Sequence, residues 1–209
     1  MKEISKKVKE IASRLLSEGQ VDVFLAWEKG NQDYLTRPLV VRSAEEAERI
    51  VFDEYSIHNL SNYLLKFRDG NEKVGLVVKG CDSRGVIRLL EDNQFSRDRL
   101  YIVGVCCPGM KDPLKAIKRN SGLLQNIPDD DKADKCSNCA YPNPLIYDEL
   151  LGSEQEPNVK GERQAKIQEI ENMSPDERYE FFRENFERCI RCYACRQACV
   201  ACNCRVCIF

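Results

Sequence analysis

Residues 73–109 read KVGLVVKGCDSRGVIRLLEDNQFSRDRLYIVGVCCPG, and this stretch decides the fold. KVGLVVKG is an apolar strand, CDSRGVIRLLEDN is a helix with its stripe at Val86, Leu89 and Leu90, and LYIVGV is a second buried-type strand. Strand, helix and strand at this spacing make one βαβ unit. A right-handed crossover sets the two strands parallel, so their C-terminal ends share one edge of the sheet. Cys81 follows the first strand and Cys106–Cys107 the second. Open α/β sheets hold ligands beyond such ends, so the topology alone gathers cysteines that lie far apart in sequence. Strand alternation points Cys106 away from Cys107 and makes it the bystander.

Upstream, Ile4, Val8, Ile11, Ala12, Leu15 and Leu16 form one stripe of a helix over Lys2 to Glu18, with Gly19 beyond it as a C-cap. This helix should cover the sheet. Val21 to Trp27 and Pro38 to Val41 read as short strands, Ser43 caps a helix through Glu45 and Ile50, and Ile57 to Phe67 continues helical. Downstream, a helix around Leu114 to Lys118 precedes IPDDDKADK, a charged loop that leads into Cys136-Ser-Asn-Cys139. YPNP is an extended turn, Leu145 to Leu151 a helix, the run to Gly161 a linker, and Gln164 to Glu171 a charged helix. Ser174, Pro175 and Glu177 form a capping box, and Tyr179, Phe182 and Phe186 mark the buried face of the helix that delivers Cys189. The fold class is therefore α/β: a mostly parallel sheet with flanking helices in residues 1–152, and a small helical Cys-rich module in 153–209.

The chain has 209 residues, with 32 Lys and Arg interspersed among 34 Asp and Glu, which argues against nucleic acid or acidic lipid as partners. No apolar run approaches the roughly 18 residues of a bilayer span, and MKEISKKVKE lacks a secretory core, so a cytoplasmic protein without membrane insertion is expected. Cysteine is the outlier, with 12 in all and seven between Cys189 and Cys207. Tight CxxC spacing argues for reduced thiolate ligands, not disulfides, and for an anaerobic setting.

Cys189, Cys192, Cys195 and Cys199 follow the bacterial ferredoxin spacing, in which three thiolates close on one cubane and the fourth reaches another cluster. Val200 stands where ferredoxins carry proline. With Cys202, Cys204 and Cys207 the tail offers seven thiolates, so either one is spare or an eighth ligand comes from elsewhere. A Cys-only zinc site would tolerate several of these spacings, while the single histidine, His58, is too remote for a mixed one. Cys81, Cys107, Cys136 and Cys139 make a second ligand group if they are not inert core thiols. Arg188, Arg191, Arg196 and Arg205 either raise a cluster's potential and form a basic docking face or are solvated. Lys79, Asp82 and Arg84 flank Cys81 at a helix start, where N–H groups could hold an anion such as a flavin phosphate; ordinary capping by Asp82 competes.

KGCDSRG, RLYIVGVCCPGM, CSNCAYPNP and SPDERYEFFRENFERCIRCYACRQACVACNCRVC together resemble the iron–sulfur proteins related to the beta subunit of coenzyme F-420 (deazaflavin) hydrogenase and dehydrogenase. The resemblance runs from about Lys73 to Cys207. It implies an electron-transfer subunit beside hydrogenase, formate dehydrogenase or heterodisulfide-reductase-like partners, with two or three [4Fe-4S] clusters and in some members FAD. By position it favours Cys81, Cys107, Cys136 and Cys139 as one ligand group and the tail cysteines as another. Cys106 replaces the family's more usual proline. Relatives continue past this tail, so a shortened member or a segment of a longer protein is expected. The expected function is a non-catalytic electron conduit in an oxidoreductase complex. Its rivals are a flavin-containing reductase of deazaflavin or nicotinamide, and a zinc-binding structural adaptor.

Overall fold

The structure, a computed structural model, describes residues 1–120, 131–159 and 162–206. Helix α1 spans Lys2–Ser17 and buries Val8, Ile11, Ala12 and Leu15, and Gly19 follows it in a left-handed conformation at φ 65°. Strands β1 (Val23–Lys29) and β2 (Thr36–Val41) form an antiparallel hairpin. Strand β3 (Val74–Val78), helix α2 (Gly80–Glu91) and strand β4 (Leu100–Val105) are the βαβ unit, with β3 and β4 parallel from Val74↔Leu100 to Val78↔Gly104. Helices α3 (Pro113–Asn120) and α4 (Asp134–Ser137) follow, then strand β5 (Glu149–Leu151) and helices α5 (Glu162–Glu171), α6 (Pro175–Glu187) and α7 (Ala194–Ala198). The five-stranded sheet has the order β2-β1-β3-β4-β5, parallel except for the hairpin.

All five residues of β3 are buried. Since successive side chains of a strand point to opposite faces, both faces of the sheet are covered there, as its unbroken apolar run demands. Phe24, Trp27, Phe52, Leu76, Leu89 and Ile102 are almost fully enclosed, each contributing about 1.5–3 kcal/mol by leaving water.

Three expectations fail. The helix from Ser43 shrinks to a 3-10 turn at Glu46–Arg49, although Ser43 Oγ does accept the Glu46 N–H at 3.3 Å. In 57–67 only Ser61–Phe67 is helical, again 3-10, because side chains take the backbone donors: Asn59 Oδ1 accepts the Ser61 N–H at 2.9 Å, and just upstream Asp53 Oδ1 accepts that of Tyr55 at 2.9 Å. Leu145 to Leu151 is not a helix, since its end supplies β5. The exposed edge of β4 offers unpaired groups that outweigh local propensity. Asp148 holds the register by accepting the Ile102 N–H at 2.7 Å and pairing with Arg97 at 2.6 Å. Among the described residues, no helix is long and apolar enough to cross a membrane, and no disulfide forms.

Replacing Asp148 by Ala should cost about 1–3 kcal/mol, the worth of a charge-assisted backbone bond. Hydrogen exchange should then show faster exchange at residues 149–151 and Ile102 while β3 stays protected.

Candidate metal centre

Because Val78 pairs with Gly104, the chain leaves β3 and β4 at the same edge. Cys81 stands in the first turn of α2 and Cys107 two residues past β4. The segment 131–145 folds back over this edge and is pinned to it. Ala133 N–H donates to Met110 O at 2.8 Å, Cys107 N–H to Pro142 O at 3.0 Å, and Leu145 N–H to Ser83 Oγ at 3.0 Å. Gly80 makes the approach feasible: a Cβ there would lie 1.9 Å from Tyr141 O and 2.8 Å from Asn143 O. Asn143 exchanges two bonds of 2.9 Å with the Gln155 backbone, and Asn158 N–H donates to Cys139 O at 2.8 Å, which closes the other side.

Cys81, Cys107, Cys136 and Cys139 thereby line one cavity of about 360 Å³. Cys106 lies behind it, 2% exposed in the core, its N–H bonded to Leu151 O. The thiols ring the space and do not converge on a point. Among the described residues, no three Cys, His, Asp or Glu side chains are grouped to chelate one ion. Ile57, Met110, Tyr141 and Pro142 make much of the remaining wall, and Lys79, Lys132, Lys135 and Glu156 bring charge to it.

Cys81 opens onto both this cavity and an outer groove, so its surface is accessible, yet protein surrounds the thiol on most sides. That enclosure governs its proton affinity. Burial, with the Asp82 charge second, pushes the Cys81 thiol up to about 12. Burial likewise pushes Cys107 up to about 11, partly offset by a hydrogen bond from the Gly109 backbone.

Of the candidates for holding an anion, Lys79 and Asp82 are bonded to each other. The pair is fully enclosed, with Nζ 2.8 Å from Oδ2. Lys79 Nζ also donates to His58 O at 3.2 Å and lies 4.0 Å from the centre of the Trp27 ring, whose Nε1–H donates to the same carbonyl at 3.2 Å. Asp82 caps α2 by accepting the Lys79 N–H at 2.9 Å. Arg84 is exposed and stacks on the Tyr141 ring at 4.2 Å. Sequence reasoning placed His58 far from the cysteines, whereas its loop supplies Ile57 to the cavity and a carbonyl to Lys79.

In α6 the capping box forms as expected, with Glu177 N–H 3.3 Å from Ser174 Oγ and Ser174 N–H 2.9 Å from Glu177 Oε2. Its aromatic face is not buried. Tyr179 and Phe186 are 67% and 71% exposed and Phe182 is 43% exposed, because the described residues place no apolar surface against them. Cys189, Cys192, Cys195, Cys199, Cys202 and Cys204 are all exposed, and Cys207 lies outside the described residues. Arg191 and Tyr193 take left-handed conformations (φ 56° and 58°), a cost that non-glycine residues bear where a tight turn is required. The first of these turns aims the Arg191 N–H at Cys189 Sγ, 3.4 Å away.

The later half of the tail docks on α2 and the Ser61–Phe67 turn. Asn62 donates to Gln197 O at 2.8 Å and Arg68 to Asn203 O at 3.0 Å, while Asn203 Nδ2 reaches Asp92 Oδ2 at 2.6 Å. Arg205 pairs with Asp69 at 2.6 Å. Val200 sits against Gly85, where a Cβ would stand 3.2 Å from its Cγ1 and 2.2 Å from Ser61 Oγ. Gly85 is one helical turn, about 6 Å, beyond Cys81.

Raised thiol pKa values give a signed prediction for the metal-free protein. The folded state keeps protons that the unfolded chain loses near pH 9. Stability should therefore be full below about pH 9 and fall as the pH rises towards 11–12, a fall that urea titrations should find reduced in a Cys81→Ala/Cys107→Ala variant. Gly80→Ala should force the 141–143 backbone off the edge and abolish the cavity, read as rapid alkylation of Cys81 at neutral pH.

No known protein-family profile matches the chain. A search of characterised proteins finds the F420-dependent formate dehydrogenase 1 subunit beta of Methanococcus maripaludis, 22% identical across 92% of this chain and 70% of that protein. It also finds the F420-dependent formate dehydrogenase subunit beta of Methanocaldococcus jannaschii, 28% identical over 50% of this chain and 27% of that protein. Among solved structures, a chain of the F420-reducing [NiFe] hydrogenase complex of Methanosarcina barkeri aligns with a TM-score of 0.47 and 19% identity over 56% of this chain and 44% of that one. By sequence, this chain is related to the beta subunits of F420-dependent formate dehydrogenases.

Proposed function

We propose that the protein is an electron-transfer subunit of an oxidoreductase complex. In this reading Cys81, Cys107, Cys136 and Cys139 hold one [4Fe-4S] cluster, and the cysteines from Cys189 to Cys207 hold at least one more. The observation that carries the reading is the cavity: cysteines from three separate segments, each led there by a different element, line a single space. A polynuclear iron–sulfur core takes one thiolate at each corner and fills a volume, which suits a ring of thiols better than a tetrahedral zinc ion with ligands about 2.3 Å away. The bound group would accept and release single electrons.

The residues of the chain supply the rest. The apolar part of the wall, Ile57, Met110, Tyr141 and Pro142, shields one side of the space from water, and the loop pinned at Ala133, Pro142 and Leu145 holds the thiols in place. The bond from Arg191 to Cys189 Sγ is the kind of N–H donation that stabilises a cluster thiolate. Val200 follows Cys199 and rests one helical turn from Cys81, which supports a short route between the two ligand groups. The α/β unit of 1–152 and the Cys-rich module of 153–209 then act as the two ends of a relay. The names of the relatives as beta subunits support its working beside other subunits.

Anaerobically purified protein should be brown and hold about four irons and four sulfides for each cluster. Cys81→Ser should remove about four irons while leaving the tail's share. Unchanged iron would sink the cavity assignment, and a colourless protein with stoichiometric zinc would replace the relay with a structural adaptor. A yellow chromophore surviving after the clusters are bleached would add a flavin.

A further inference from the structure

The cavity wall holds one fully enclosed ion pair, and it is poorly explained as a source of stability. Taking Lys79 and Asp82 out of water costs several kcal/mol per charge, and replacing such a pair by apolar groups is commonly neutral or stabilising. Yet the fold gives this pair elaborate support. Asp82 accepts from the Lys79 and Leu60 N–H groups at 2.9 and 3.3 Å, so its charge is satisfied from the backbone. Lys79 is satisfied by Asp82, by His58 O and by the face of Trp27. Lys79 lines the cavity, whereas Asp82 does not.

We propose that the Lys79–Asp82 pair sets the reduction potential of the group held in the cavity, Lys79 favouring its reduced state and Asp82 its oxidised state. The inference rests on the cluster reading above. Reduction adds one electron from an external one-electron donor, with no bond made or broken and no proton moved, so the group gains one unit of negative charge. A cation fixed beside it lowers the energy of that state and an anion raises it. Enclosure matters here because buried charges escape the screening that weakens surface arginines such as Arg205, which is already paired with Asp69. Both members stand beside the thiols: Asp82 follows Cys81 directly in the chain, and Lys79 lines the cavity together with Cys81 and Cys107. Lys132, Lys135 and Glu156 also line the cavity; Lys79 is the one whose ammonium is fixed by Asp82, the His58 carbonyl and the Trp27 ring together.

The test is a paramagnetic resonance redox titration of the anaerobically purified full chain, with iron and sulfide counted in every sample. Asp82→Asn should shift the cavity signal to higher potential. Lys79→Met should shift it lower, each by roughly tenfold in the oxidised-to-reduced ratio, about 59 mV for one electron. Lys79→Arg should stay near wild type, and the tail signal should move in none of them. Lys79→Met strands a buried carboxylate and could unfold the chain; Asp82→Asn alone then decides, by the sign of its shift. Full iron with unmoved potentials, or both substitutions shifting the same way, would overturn the proposal while leaving the clusters in place. Wild-type protein without iron and sulfide would remove the cluster reading, and this inference with it.

Discussion

Parallel pairing of β3 with β4 is the constraint on which the rest depends. Its register sends two chain segments out of the sheet at one edge, and everything at the cavity is referenced to that edge. α2 begins there, Cys81 is in its first turn, and the loop bearing Cys136 and Cys139 has only to be pinned against it. If the pairing slipped by one residue, the side chains of one strand would change faces, the Val-rich core would come apart, and Cys106 would exchange places with Cys107.

Sequence patterning revealed this constraint because both strands are unbroken apolar runs and the helix between them has a clear stripe. The same reasoning separated Cys106 from Cys107 and brought Cys81 and Cys107 to one edge, while the grouping of Cys136 and Cys139 with them was favoured by the family resemblance. It failed where tertiary pairing overrode local signals: nothing within Leu145–Leu151 announces that the edge of β4 needs a partner. It also failed at α6, where periodic Tyr179, Phe182 and Phe186 read as a buried face, since periodicity marks an apolar stripe and is silent on what lies against it. The Lys79, Trp27 and His58 network was illegible because its members are 21 to 52 residues apart and meet through a backbone carbonyl, which leaves no trace in side-chain identity.

The two thiol groups differ in how the fold treats them. In the cavity, burial raises the proton affinity of Cys81 and Cys107. The tail thiols are exposed on turns with left-handed residues, and the later part of the segment is fastened to the Ser61–Phe67 turn by Asn62 and Arg68 and to the end of α2 by Asn203. Cys81 belongs to both regions, as a wall of the cavity and of the groove that receives Val200. On the cluster reading, an electron path between the groups would pass by a residue that is itself a ligand.

The span of the cavity in sequence has a consequence for how the protein matures. Its four thiols stretch from Cys81 to Cys139 and meet only after β3, β4 and the 131–145 loop have assembled, so the closure of long loops precedes any shared site. The tail thiols are crowded into a short stretch, and on the cluster reading they would close on metal locally, without waiting for the sheet. On the cluster reading, loading is thus ordered in time: the tail can be filled on an unfolded or nascent chain, while the cavity becomes competent only at the end of folding. Metal in the cavity would then mark a chain that has already reached its native state.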